Sequence, residues 1–131
     1  MYLMSDDEFE SVIADALDEM PERFLQALDN VGVAMQDEPD DDQLDIAEWG
    51  TSAEKSGELL GLYEGLPLTE RGVDYGGMAG DAPDVITIFK GPHERSFDSR
   101  EQVVSEIKKT VIHEIGHYFG LDEDQLHAMG Y

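Results

Sequence analysis

A chain of 131 residues, 40% of them hydrophobic and none of them cysteine, suits one modest core and offers neither a disulfide framework nor a thiolate metal site. Its 31 Asp and Glu against 8 Lys and Arg give a formal net charge of −23, which repels phosphate backbones and anionic lipid heads, so neither nucleic acid nor membrane is an expected partner. No apolar run approaches the length of a bilayer span, and the first residues turn acidic instead of showing a basic start and an apolar stretch, so a single domain over residues 1–131 in the cytoplasm is the expectation.

Ser5 followed three residues later by Glu8 has the form of a capping box, and Phe9, Val12, Ile13, Ala16, Leu17 and Met20 recur on one helical face. Pro21 reads as the first residue of a further helical turn carrying Phe24, Leu25 and Leu28, with a kink near Met20. Residues 31–35 (VGVAM) suit a short buried strand. The run QDEPDDD at 36–42 reads as an exposed loop; it lacks the alternating ligands and the glycine of an EF-hand, so no calcium site is expected. A helical turn around Ile46 and Trp49 is the reading for 44–57. Strands follow at 59–63 and, most clearly, at 85–89 (VITIF), separated by a Gly-rich stretch at 65–80 with no phosphate-loop spacing. Ser99 and Gln102 make a second capping box for a helix running to about Phe119, with Val103, Val104, Ile107, Val111 and Ile115 inward and Gly120 placed for a left-handed cap. One or two turns capped by Asp122 end the chain.

The chemistry lies inside that long helix. Residues 113–117 read His-Glu-Ile-Gly-His, an H-E-x-x-H motif. A spacing of four puts His113 and His117 on one face with Cβ atoms about 5–6 Å apart, so both imidazoles can reach one zinc ion. Glu114 lies about 100° around the helix, placed as a general base toward a metal-activated water and not as a ligand. Helix interiors do not favour histidine, and the chain has only four, which makes a chance pair bracketing a glutamate a poor explanation.

The longer string, His113 through Gly120 to Glu123, resembles the metzincin pattern, in which a glycine breaks the helix and the third ligand stands ten residues after the first. By that resemblance Glu123 occupies the third-ligand position, where metzincins carry His or Asp. Asp122, Asp124 and His127 are the other candidates: Asp122 is better used as a helix cap toward Gln125, and His127 would require the last helix to lean over the site. The blocks FESVIADALDEMPERFLQALDNV, LLGLYEGLPLTERG, DVITIFKGP and TVIHEIGHYFGLDEDQLHAMGY resemble the minimal zincin-like metallopeptidase family over nearly the whole chain. The resemblance implies an α+β fold, a small sheet packed on the active-site helix, with an HExxHxxGxxD-type site.

Together these readings describe a monomeric zinc peptidase with a shallow cleft that prefers basic peptides, paired along the strand edge near 85–89 or the Gly-rich stretch. The alternative is a metal-stabilised binding module without turnover, against which Glu114 argues because a purely structural site needs no base beside an open position. Met129 is expected in the core of the last helix, and Tyr118 and Tyr131 are expected to be partly buried and not to contact an intermediate. His93 is read as a surface histidine, and Arg71 and Arg95 as partners for the abundant carboxylates.

Overall fold

A computed structural model describes residues 1–28, 31–47, 52–55, 58–65 and 84–129. Helices α1 (Asp6–Asp18) and α2 (Glu22–Ala27) precede strand β1 (Val31–Gln36). Helix α3 (Asp41–Ala47) and strands β2 (Ser52–Lys55), β3 (Glu58–Glu64) and β4 (Asp84–Phe89) follow. Helices α4 (Lys90–Ser96), α5 (Arg100–Tyr118) and α6 (Glu123–Ala128) complete the chain. The fold is α+β: a four-stranded sheet in the order β1-β4-β3-β2, with β1 parallel to β4 and the other two pairings antiparallel. Among the described residues no helix is long and apolar enough to cross a membrane.

Both long helices start where the capping boxes put them. Ser5 Oγ accepts from the Glu8 amide at 3.1 Å and Ser99 Oγ from the Gln102 amide at 3.2 Å, each satisfying a backbone donor that the first helical turn leaves without a partner. The apolar stripe of α1 (Phe9, Val12, Ile13, Ala16) then meets that of α5 (Val103, Ile107, Val111, Ile115, Tyr118), and both close on Leu60, Tyr63, Ile86 and Ile88 of the sheet. Burying these side chains is what holds α5 against β3 and β4, since apolar surface removed from water contributes about 25 cal/mol per Å².

Several expectations change. The continuation of α1 is a break rather than a kink: α1 ends at Asp18, and Pro21 stands one position earlier than expected, as the residue before α2. The acidic run is loop only as far as Asp40. There Asp40 and Gln43 cap each other, the Gln43 amide donating to Asp40 Oδ1 at 2.8 Å and the Asp40 amide to Gln43 Oε1 at 2.9 Å, which starts α3. Residues 52–55, read as part of an irregular or helical stretch, form β2 instead, at one side of the sheet. Strand β4 lies between β1 and β3, so both of its backbone sides are occupied and, against the expectation for residues 85–89, it offers no edge to a peptide. Of the Gly-rich stretch, residues 66–80 lie outside the described residues, as do Trp49, Arg71 and Tyr131.

Candidate metal centre

Helix α5 carries the motif on its last turns, where it is buried on nearly every side: His113 is 4% exposed, Glu114 0% and His117 5%. The two Nε2 atoms stand 3.2 Å apart, with ring centroids at 4.8 Å and planes at 73°. Two nitrogens bound tetrahedrally at zinc–nitrogen distances of about 2.0–2.1 Å lie about 3.3 Å from each other, so the pair is already spaced for one ion. One ligand atom from each of His113, Glu114 and His117 falls within 4.8 Å of the others, and they are the group of metal-ligating side chains found among the described residues.

The end of the helix fixes His117. Gly120 has φ +87°, in the left-handed region open to glycine. With that turn the Gly120 amide donates to the His117 carbonyl at 2.9 Å and the Leu121 amide to the Gly116 carbonyl at 3.0 Å, the two bonds of a Schellman motif. The chain thus folds back over the last turn and sets the Leu121 carbonyl 3.0 Å from His117 Nδ1. A carbonyl only accepts, so Nδ1 carries the proton and Nε2 keeps the lone pair a metal needs.

Beyond this turn α6 opens on a full capping box, Asp122 Oδ1 accepting from the Gln125 amide at 2.8 Å and Gln125 Oε1 accepting from the Asp122 amide at 2.9 Å. Asp122 is therefore engaged as a cap, as its position implied. Helix α6 seats on α5 through Leu126, which packs where a Cβ on Gly116 would stand only 2.4 Å from Leu126 Cδ2. His127 comes with it, its ring centroid 6.4 Å from that of His113. Asp124 is exposed in the first turn, and Glu123 begins the helix, its side chain lying outside the described residues.

Three other sequence readings are settled by burial. Met129 is 58% exposed and is not a core residue. Tyr118 is 1% exposed and packs edge-on against Tyr63 at 6.0 Å, inside the core. His93 is not on the surface but fully buried, its Nδ1 2.7 Å from the Phe89 carbonyl and its Nε2 3.1 Å from Thr110 Oγ1. Burial pushes its pKa down to about 4, against a smaller opposing pull from the Phe89 carbonyl, so the ring is neutral near pH 7. The misreading arose because the segment KGPHERS carries Gly91 and Pro92, which signal a loop, while the structure makes it helix α4 with Gly91, Pro92 and His93 buried. Thr110 and Gly61, which pack beside Glu114, carried no motif at all; a threonine four residues before the glutamate was the one available hint.

A family model described as zincin-like metallopeptidase matches residues 28–131. The chain belongs to this family. The match spans every element from β1 onward, so sheet, motif helix and the turn into α6 all fall within the zincin-like region. No curated protein matches the sequence.

Proposed function

We propose that the protein is a zinc-dependent peptidase in which His113 and His117 hold the ion, Glu123 completes the protein ligands and Glu114 is the general base. The observation that carries this reading is the 3.2 Å separation of two Nε2 atoms with Glu114 beside them. The donor set is imidazole and carboxylate without thiolate, which fits zinc in a hydrolytic site. A zinc ion bound there supplies Lewis acidity, lowering the pKa of water toward about 7 and polarising a substrate carbonyl.

The chain's own residues do the rest. His117 is held in the ligating tautomer by the Leu121 carbonyl. A Glu114 carboxylate oxygen takes the proton from water during attack and returns it to the leaving amine, the two transfers expected of one carboxylate in amide hydrolysis. The net charge of −23 draws basic peptides toward the site, so these are the favoured substrates.

A second reading has its own support. All three motif residues are buried, as in a site where metal serves folding alone. Glu114→Gln separates the two. Protein refolded with zinc is assayed for metal content and for cleavage of a mixed peptide library, with and without chelator. Under the peptidase reading the variant keeps one zinc per chain and loses hydrolysis by about a hundredfold or more. Hydrolysis that survives the change overturns the mechanism, and a metal-loaded parent that cleaves nothing establishes the structural role instead.

A further inference from the structure

Beside the motif, β3 comes so close to α5 that the one residue with no side chain lies at the point of contact. An ideal Cβ built on Gly61 would stand 2.5 Å from Thr110 Cγ2, 3.3 Å from Glu114 Cγ and 3.3 Å from the Thr87 carbonyl oxygen of β4. The first distance is shorter than real Cβ contacts allow. Whether it matters depends on whether Thr110 can yield.

Thr110 is held on two sides. Its hydroxyl lies 2.8 Å from the Glu106 carbonyl, one turn back, and 3.1 Å from His93 Nε2. Because the Phe89 carbonyl can only accept, His93 Nδ1 carries the ring proton and Nε2 is an acceptor. The hydroxyl proton therefore has two acceptors, the Glu106 carbonyl and His93 Nε2, while the methyl is the Thr110 atom nearest Gly61, and a β-branched side chain has few alternative rotamers in a helix. His93 cannot retreat either, since its ring is packed edge-on to Phe9 at 5.6 Å and beside Phe97 at 6.3 Å. The Thr110 methyl is thus fixed toward the strand, and the next atom along the same face is Glu114 Cγ.

We propose that Gly61 is a positioning residue for Glu114: its bare Cα, met by a Thr110 methyl that His93 holds in place, sets how close the motif helix lies to the sheet and which way the glutamate turns. The proposal rests on the reading of Glu114 as general base. A methyl group at position 61 has two ways out. Either α5 lifts from the sheet, carrying Glu114 away from a substrate laid against it, or Glu114 turns to another rotamer. The histidine pair shares one helix turn with its own Leu121 tether, so its 3.2 Å spacing survives both.

The test compares the parent, Gly61→Ala, Thr110→Ser and the double variant as full-length protein, reading kcat and KM on a cleaved peptide and zinc affinity by chelator competition. Gly61→Ala should lower kcat about tenfold or more while zinc affinity stays within about threefold, the pattern of a displaced catalytic group at an intact metal site. Thr110→Ser keeps the hydroxyl and removes the colliding methyl, so adding it to Gly61→Ala should recover part of kcat, to within a few-fold of Thr110→Ser, the rest being lost to the 3.3 Å contact on Glu114 Cγ. Full kcat in Gly61→Ala, or no rescue in the double variant, overturns the proposal, and so does loss of zinc in step with kcat. Should Gly61→Ala not fold, the double variant is compared with Thr110→Ser: the remaining contact on Glu114 Cγ should leave kcat a few-fold lower at equal zinc affinity, and equal kcat overturns the proposal. A parent that binds zinc but cleaves nothing fails the reading of Glu114 as base; a parent that cleaves and is matched by Gly61→Ala fails this step alone.

Discussion

Two buried histidine sites lie one turn apart along α5, and they are built in opposite ways. At the inner site His93 uses both ring nitrogens on the protein, one against the Phe89 carbonyl and one against Thr110. At the outer site His117 uses Nδ1 on the Leu121 carbonyl and turns Nε2 toward that of His113. Burial is nearly the same at both. What separates His93 from the candidate ligands is therefore where the second ring nitrogen points: at His93 it faces the Thr110 hydroxyl, and in the pair the two Nε2 atoms face each other.

The contrast predicts opposite outcomes for the same operation. His113→Ala or His117→Ala removes one of two converging imidazoles and should weaken zinc binding by about a hundredfold or more, measured by chelator competition. His93→Gln should leave zinc affinity near that of the parent while lowering thermal stability. A zinc affinity that falls equally in all three variants would erase the distinction between the sites.

Lowering the pH sharpens it further. The His93 pKa is about 4 in the folded chain, and the unfolded value is about 6.5. Between those values the unfolded state binds a proton that the folded state refuses, so stability falls as pH falls. Above about 6.5 the ring is neutral in both states and the loss vanishes; below about 4 both are protonated and the loss stops growing. The window gives His93 a cost on the order of 3 kcal/mol at pH 4. Denaturant titrations of metal-free protein at pH 7 and pH 4 should show the parent losing more stability than His93→Gln, the difference cancelling the carboxylate titrations that the two proteins share. Equal losses would mean that His93 is protonated in the folded chain.

The unequal legibility of the two sites has the same root. The outer site is local: four residues of helix place the pair, Ser99 caps the start, and Gly120 turns the end, all within one continuous stretch of sequence. The periodicity of α1 and the β-branched run of β4 were legible for the same reason. The inner site joins His93 to Thr110 across 17 residues and backs them with Gly61 from a separate strand, so no window of sequence contains it. Helix α3 stands between these cases. Its Asp40 and Gln43 had capping-box spacing in plain view, but five carboxylates within the surrounding seven residues made exposed loop the stronger reading. Glu123 as third ligand rests on the metzincin-like register and the break at Gly120; the approach of the His127 ring to that of His113 gives the competing candidate a geometric argument that register does not.

The smallest expected effect comes from the outward side of the helix that carries His93. Two residues on, Arg95 holds α4 from solvent as His93 holds it from within. Its guanidinium donates to Glu38 at 2.6 and 2.8 Å and to Glu58 at 2.7 Å, bridging the segment after β1 to the start of β3. The hydrogen bonds to Arg95 hold the Glu38 carboxyl below its usual pKa, a stabilisation present above the ordinary carboxylate range and lost as pH falls through it. Geometry this good would be worth several kcal/mol if buried, but Arg95 is 42% exposed and Glu38 52%, where water and salt screen most of the attraction. Removing the cation also leaves two carboxylates facing each other in a chain already at −23, which raises the cost somewhat. Arg95→Met keeps the apolar stem and deletes the charge. It should cost about 1 kcal/mol in low salt at pH 7, and less than half of that in about 1 M sodium chloride, where the Debye length is only about 3 Å. Denaturation midpoints at the two salt concentrations measure both numbers. A loss as large as that of His93→Gln, or one that ignores salt, would show that α4 is held chiefly from outside and that the inner histidine is not its anchor.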